Sequence, residues 1–227
     1  QVEAVRSRDL GQNLVEEYSL KKARAEKINN QRLWDIEQKH WSNTLNLHQV
    51  DSLDRVFSHI PPEPKQSKKP VSAARDSRLP LQFALMTREK TKAQAKILVQ
   101  KPKSENGEAF NGAITIYQIK HVPVEANNNG GIRTTISSRP PEIWMEHIIR
   151  RAPFQLAEVL IETDTVDIRD NNLHDIMYKA VLIDIEIPGS TIPGVYKSIL
   201  TLKTKSNSVS LPFSFRVHKT RLSNQYK

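Results

Sequence analysis

The stretch Val209-Ser-Leu-Pro-Phe-Ser-Phe-Arg-Val217 decides the fold, because its apolar and polar residues alternate one by one. Successive side chains of a β-strand point to opposite faces, so a two-residue repeat predicts a strand with one buried face. The residues predicted to face a core are Val209, Leu211, Phe213, Phe215 and Val217, and those predicted to face solvent are Ser208, Ser210, Ser214, Arg216 and His218. Pro212 belongs to the outward set and predicts an edge or a bulge, since proline cannot donate to the strand ladder.

The same repeat recurs upstream and predicts further strands rich in β-branched and aromatic residues. The candidate segments are 79–85, 96–100, 113–119, 132–136, 180–187 and 195–203. Residues 143–161 are densely apolar and fit either a helix or an extended segment, so a long, partly irregular connection is expected there. Seven or so short strands without crossover helices indicate a mainly β fold, an immunoglobulin-like antiparallel β-sandwich over residues 71–218.

An α-helical N-terminal segment is predicted over residues 1–60. Apolar residues in its first part recur at three- and four-residue steps, with a break at Asn29-Asn30. A further short helix is predicted to begin at Asp51, with Asp51 or Ser52 placed to cap the free N–H groups. Trp34 and Trp41 lie seven residues apart, and we expect them to dock the helices onto the sandwich.

The run Pro61-Pro-Glu-Pro64 ends the helical part, because proline lacks the amide hydrogen and holds the preceding residue in extended geometry. Residues 61–70 are therefore predicted to form a Pro/Lys-rich linker. Residues 219–227 are predicted to form a basic C-terminal tail.

The 227 residues carry a formal net charge of +9, and cations are concentrated between Lys65 and Lys103. Such a belt is either solvated surface or the footprint of a polyanion, such as an anionic glycan, lipid headgroups or nucleic acid. Nucleic acid is not favoured, because Phe83, expected in the core, is the one aromatic residue in the belt on which a base could stack. No apolar run approaches the ~20 residues that cross a bilayer, so no transmembrane segment is expected.

No constellation of residues predicts catalysis or a cofactor. Cysteine is absent, which excludes disulfides, thiolate zinc sites and a cysteine nucleophile. The seven histidines lack the spacing of a zinc site, and the oxygen-rich run from Asp167 to Asp175 lacks the central glycine and final glutamate of a calcium loop. Glycoside hydrolysis would need a carboxyl pair. The candidate pairs, Glu158 with Glu162 and Asp164 with Asp167, lie in polar surroundings, so we expect a protein that is not an enzyme.

Four parts of the chain resemble one family in the same order. The segment Ile187-Pro-Gly-Ser-Thr-Ile-Pro-Gly-Val-Tyr196 is similar to the loop that opens the closing hairpin of extracellular bacterial sandwich modules, with Tyr196 predicted to cap the core. The other matching parts are 51–57, 71–75 with 81–85, and 157–161 with 184–188. Together they resemble the N-terminal β-sandwich domain of the β-N-acetylgalactosaminidase-like glycoside hydrolases (family 123). The catalytic residues of that family lie in a barrel that has no counterpart in these residues, so the resemblance carries none of them over.

The resemblance implies a non-catalytic exported β-sandwich module, accessory to glycan binding or glycoside hydrolysis. Gln at position 1 fits a processed chain, so a periplasmic or extracellular location is expected. The candidate carbohydrate-binding residues are Trp144, Glu146 and His147, because an aromatic ring can stack on a sugar while polar neighbours form hydrogen bonds. Packing of Trp144 in the core is the alternative.

Two other functions remain open. The chain could be a structural or protein-interaction component of the envelope that binds a partner through its N-terminal helices. It could also be a fragment of a larger glycosidase that lacks its catalytic barrel. The sequence fixes neither the ligand nor the oligomeric state.

Overall fold

The computed structural model describes residues 24, 26–57, 60–65, 69–88, 94–124, 154–167 and 178–223. The chain divides into two compact units, Gln1–Ser42 and Asn43–Lys227. In the first unit an α-helix, α1, runs through residues 26–40, so the expected break at Asn29-Asn30 is wrong. In the described residues, no helix has the length and apolar character that crossing a membrane requires.

The described part of the second unit holds eleven β-strands. They are β1 (Leu45–Val50), β2 (Val71–Arg75), β3 (Ser77–Thr87), β4 (Gln94–Val99), β5 (Lys103–Ser104), β6 (Ile114–Val124), β7 (Phe154–Glu162), β8 (Thr165–Asp167), β9 (Tyr178–Ile187), β10 (Gly194–Lys203) and β11 (Ser208–Arg221). They form two sheets, which confirms the predicted mainly β sandwich. The predicted strand at 132–136 lies outside the described residues, and so does the first part of the connection at 143–161, whose end is β7.

Sheet A has the strand order β1-β3-β9-β6-β7 and is antiparallel throughout. Sheet B has the order β2-β11-β10-β4-β8, and the short strand β5 also pairs with β10. Within sheet B, β2 pairs with β11 in parallel, whereas β10 is antiparallel to each of its partners. β10 therefore forms the centre of sheet B.

The core lies between the sheets and is filled by alternate residues of the long strands. Phe213, Phe215 and Val217 are buried and Val209 and Leu211 are partly buried, which confirms the inward set predicted for β11. The exposed residue Pro212 lies in an internal strand, but the register of β2 on β11 begins three residues later. The proline therefore occupies a locally open stretch of β11, as its missing donor requires.

The helical prediction is wrong after residue 40. Residues 45–50 form β1, which pairs with β3, and a turn follows at Asp51. The Asp51 Oδ1 atom accepts a hydrogen bond from the Leu53 N–H at 2.9 Å. Gln82 Nε2, on β3, donates to the carbonyl oxygens of Asp51 and Asp54 at 3.3 and 2.7 Å. In a helix these two carbonyl oxygens would accept hydrogen bonds from backbone N–H groups of the next turn. Here they accept from a side chain of β3 instead.

The two segments flanking the sandwich also differ from the prediction. Pro61 is buried and the Lys65 N–H donates to the Gln49 carbonyl at 2.7 Å, so residues 61–65 pack beside β1 instead of linking two domains. At the other end β11 continues to Arg221, so the first residues of the predicted basic tail belong to sheet B.

One residue, Asp76, connects β2 of sheet B to β3 of sheet A. Its φ of 57° lies in the left-handed region, which aspartate tolerates better than most residues. Its carboxylate accepts a hydrogen bond from Arg221 Nε, and Arg75 Nη2 donates to the Lys219 carbonyl at 2.8 Å. This corner fastens the start of β3 to the end of β11.

Gly112 allows the segment before β6 to approach β9. A Cβ atom at this position would lie 1.9 Å from the Glu186 carbonyl oxygen and 2.6 Å from the Phe110 ring. The Glu186 N–H donates to the Ala113 carbonyl at 3.0 Å, so the two backbones are held together. The approach is therefore possible only without a side chain at Gly112.

We expect Gly112→Ala to lower the free energy of unfolding by about 2 kcal/mol or more, the upper range for forcing an extra methyl into a packed site. The control is Gly107→Ala, where a Cβ would meet nothing within 4 Å and the φ of 84° should cost only about 1 kcal/mol. Urea unfolding of both variants measures the difference. Equal losses would contradict the close approach at Gly112.

Candidate functional site

A groove of about 460 Å³ opens on sheet B where the chain crosses from β4 to β5 beside β10 and β11. Its lining residues are Gln100, Lys101, Lys103, Lys197, Ser198, Ile199, Pro212, Phe213 and Ser214. An apolar floor with a few convergent polar groups is the usual composition of a ligand site. This groove is therefore the candidate functional site.

The alternation of β10 places part of the lining. Tyr196, Ser198 and Leu200 are buried, so Lys197 and Ile199 between them face outward. Isoleucine at position 199 is 39% exposed. The strand that anchors the core through one set of side chains thus presents a cation and an apolar side chain to the groove.

The crossing from β4 to β5 places the remaining cations. Ser198 Oγ donates to the Gln100 carbonyl at 2.5 Å and ties this crossing to β10. Pro102 is buried, whereas Lys101 and Lys103 on either side of it are exposed. Both lysines belong to the basic stretch noted in the sequence, which here reaches a defined site.

The rim of the groove is cationic. Lys103 and Lys197 are direct partners in the β5–β10 pairing, and Ser214 is the partner of Lys197 on β11. Glu105 Oε1 lies 3.2 Å from Lys197 Nζ. Lys101 and Lys103 have no ion-pair partner among the residues that the structure describes. The lining side chains therefore combine three lysines with the polar groups of Gln100, Ser198 and Ser214 and the apolar groups of Ile199, Pro212 and Phe213.

An aromatic cluster supports the strand beneath the groove. The ring of Tyr196 lies 5.3 Å from that of Phe110 and 5.5 Å from that of Phe215, and its hydroxyl donates to the Ile192 carbonyl at 2.8 Å. The predicted role of Tyr196 as a cap of the core is confirmed. Burial raises the pKa of Tyr196, and the nearby charge of Glu108 adds to the rise.

Sequence reasoning missed Phe110, the third member of this cluster. Its ring centroid lies 5.3 Å from that of Phe215. The residue stands alone between turn-forming segments, without a strand or helix repeat around it. Phe110 is fully buried in the structure. A single aromatic residue outside any repeat does not reveal in the sequence whether it is buried, so its role could not be predicted.

The predicted binding residues have different outcomes. Trp144, Glu146 and His147 lie outside the described residues, so their role in carbohydrate binding stays a prediction. Trp34 on α1 is 56% exposed, whereas Trp41 is fully buried. Their role in docking the helices also stays a prediction.

Three of the four carboxylates considered for hydrolysis have a partner at the surface. Glu158 and Glu162 are exposed on β7, and Glu158 Oε1 lies 3.6 Å from Arg55 Nη2. Asp164 pairs with a lysine of β4 at 3.6 Å, and Asp167 accepts a hydrogen bond from a glutamine of that strand at 2.9 Å. Among the described residues, no three His, Cys, Asp or Glu side chains gather where they could hold a metal ion.

Fold and groove together define this chain as a β-sandwich module. Neither models of protein families nor curated proteins match its sequence. Among solved structures it is similar to a family 123 glycoside hydrolase from Clostridium perfringens, described for glycolipid glycan hydrolysis, with 14% sequence identity and a TM-score of 0.55. The match covers 79% of this chain but 28% of the enzyme. It is a likeness in fold, and it agrees with the resemblance to that family in the sequence.

Two fimbrial proteins match at lower TM-scores. The CooA pilin subunit from enterotoxigenic Escherichia coli has 10% identity and a TM-score of 0.33, over 77% of this chain and 96% of the pilin. Self-complemented MyfA, the major subunit of Myf fimbriae from Yersinia enterocolitica, was solved in complex with galactose. It has 8% identity and a TM-score of 0.31, over 78% of this chain and all of MyfA.

The raised pKa of Tyr196 predicts a loss of stability at high pH. A tyrosine whose pKa is higher in the folded state stabilises the fold fully below its unfolded value of about 10, and this contribution is lost as the pH rises through the folded value. We expect the loss between pH 9 and 11 to be smaller in Tyr196→Phe than in the unchanged protein.

At pH 7 the same variant should lose about 1 kcal/mol, because the hydrogen bond to the Ile192 carbonyl disappears. Urea unfolding at each pH measures both effects, and the difference between the two proteins removes the contribution of lysine titration. Parallel pH profiles would contradict the assignment.

Proposed function

We propose that this chain is a non-catalytic, exported β-sandwich module accessory to glycan binding or glycoside hydrolysis, and that the groove beside β5 is its glycan-binding surface. The observation that carries this proposal is the composition of the groove, which joins exposed apolar side chains to several hydrogen-bond donors. Sugars need both, since each ring has an apolar face and a rim of hydroxyl groups.

The contacts that the groove offers are specific. Ile199 and Pro212 are direct partners across β10 and β11, and both are exposed, so they form a small apolar platform. Ser214 and Gln100 line the same groove, and the hydroxyl of the one and the side-chain amide of the other can donate and accept hydrogen bonds. A sugar ring lying on the platform could reach both polar groups.

The likeness in fold also supports an accessory role. The Clostridium perfringens enzyme acts on glycolipid glycans and matches this chain over a limited share of its own length. We infer that this chain, like a sandwich domain beside a catalytic domain, contributes glycan contacts and not the chemistry of hydrolysis. Export to the periplasm or cell surface, where such glycans occur, is part of the same proposal.

A glycan array with the full chain tests the proposal, using Ile199→Ala and Ile192→Ala as a matched pair. Both isoleucines are exposed, at 39% and 53%, but Ile192 lies outside the groove lining. Ile199→Ala should weaken binding about fivefold, the effect of losing about 1 kcal/mol of apolar contact. Ile192→Ala should bind as the unchanged protein does.

The array also separates the groove from the residues predicted by sequence. Loss of binding in Trp144→Ala with no effect of Ile199→Ala would place the glycan elsewhere and contradict the groove. Absence of binding to every glycan would remove the proposed function itself.

A second candidate function is that of an envelope component that binds a protein through its N-terminal helices. Its support is the exposure of Ile28 and Trp34 on α1, at 71% and 56%, since large exposed apolar side chains often mark interaction sites.

Pull-down of envelope proteins by the full chain tests this second function, with the double variant Ile28→Ala and Trp34→Ala. The control is Leu53→Ala, a 90% exposed residue of the sandwich unit. We expect the double variant to lose its partner and the control to keep it. Identical partners for both would exclude this role of α1.

A further inference from the structure

Two lysine pairs lie across neighbouring strands on the outer face of sheet B. Lys103 of β5 is the direct partner of Lys197 on β10, and Lys96 of β4 is the direct partner of Lys203 on the same strand. All four side chains are exposed. Like charges directly opposite each other destabilise a strand pair, so these positions are not explained by stability.

Only one lysine of each pair is balanced by a carboxylate. Lys197 Nζ lies 3.2 Å from Glu105, and Lys96 Nζ lies 3.6 Å from Asp164. Lys103 and Lys203 have no ion-pair partner in the described part of the chain. An unbalanced cation therefore remains at each end of the face.

Mainly apolar side chains occupy the space between the two pairs, together with Thr201, whose hydroxyl lies 2.8 Å from that of Ser210. Lys197 and Lys203 are six residues apart on β10, which is about 20 Å along an extended strand. Between them Ile199 is 39% exposed, and Leu98 on β4 is 44% exposed. The face thus presents cations, an apolar stripe and cations again, in line with β10.

We infer that this face of sheet B binds an acidic glycan, an extended saccharide whose carboxylate or sulfate groups contact the lysine pairs and whose sugar rings cover the apolar stripe. The inference rests on the proposed function and adds the charge and the length of the ligand. A single small anion could not reach both lysine pairs. The stripe carries no exposed aromatic residue among those described, whereas single-stranded nucleic acid is bound chiefly by stacking its bases.

The test is titration calorimetry of the full chain with a chondroitin sulfate hexasaccharide, and with cellohexaose as a neutral saccharide of the same number of sugars. The variants are Lys103→Gln and Lys203→Gln, one from each pair. The matched control is Lys120→Gln, an exposed lysine on β6 of sheet A. Each variant should weaken binding of the sulfated saccharide about fivefold, the scale of one exposed ion pair, and the control should not.

A second readout separates binding from a structural role. Lys103→Gln removes the repulsion between Lys103 and Lys197 and leaves the ion pair between Lys197 and Glu105 in place. The thermal unfolding midpoint of this variant should therefore not fall below that of the unchanged protein. Raising the salt concentration should weaken binding of the sulfated saccharide, because these exposed charges are screened. A lower midpoint together with weaker binding would overturn the inference, since both effects would then follow from lost structure.

The remaining outcomes distinguish the two proposals. Equal affinity for cellohexaose and the sulfated hexasaccharide, unaffected by the lysine variants, overturns this inference and leaves glycan binding intact. Failure of both saccharides and of every glycan on the array overturns the proposed function and the inference with it. Tighter binding of a single-stranded DNA of equal charge would assign the face to nucleic acid and overturn the inference.

Discussion

Contact between Phe83 on β3 and Phe213 on β11, with ring centroids 5.5 Å apart, belongs to the layer on which the rest of the structure depends. Burying each such side chain contributes about 1.5–3 kcal/mol, and the requirement to bury them fixes which way every second residue points. The outward residues follow from the inward ones. Because Tyr196 and Leu200 are buried in β10, Lys197 and Ile199 face the groove. The exposed lining of the candidate groove is therefore a consequence of the core.

The sequence predicts the strands where the two-residue repeat is long and regular, as in β3, β9, β10 and β11. It fails where short patterns serve two structures. The spacing of Leu53, Val56 and Phe57 fits a helix, yet Gln82 holds the backbone of this segment in a turn. That bond comes from a residue about thirty positions away along the chain, and a local pattern contains no information about it.

The candidate site shows a similar division. The basic stretch that ends at Lys103 is visible in the sequence, but its opposition to Lys197 is a matter of strand register, which only the folded chain defines. The sequence predicts Trp144 as an aromatic platform, whereas the described groove has Ile199 and Pro212 as its apolar surface. An apolar surface made of aliphatic residues on two strands has no distinctive spacing in the sequence. It can be recognised only once the register of the strand pair is known.

The parallel pairing of β2 with β11 has a consequence for biosynthesis. All five strands that the structure describes in sheet A have been made once Ile187 is synthesised, whereas β10 and β11 of sheet B follow later, and β2 must wait for β11. At typical translation rates the apolar side of sheet A stays without its cover for a few seconds. During that interval the exposed apolar face makes the nascent chain prone to aggregation.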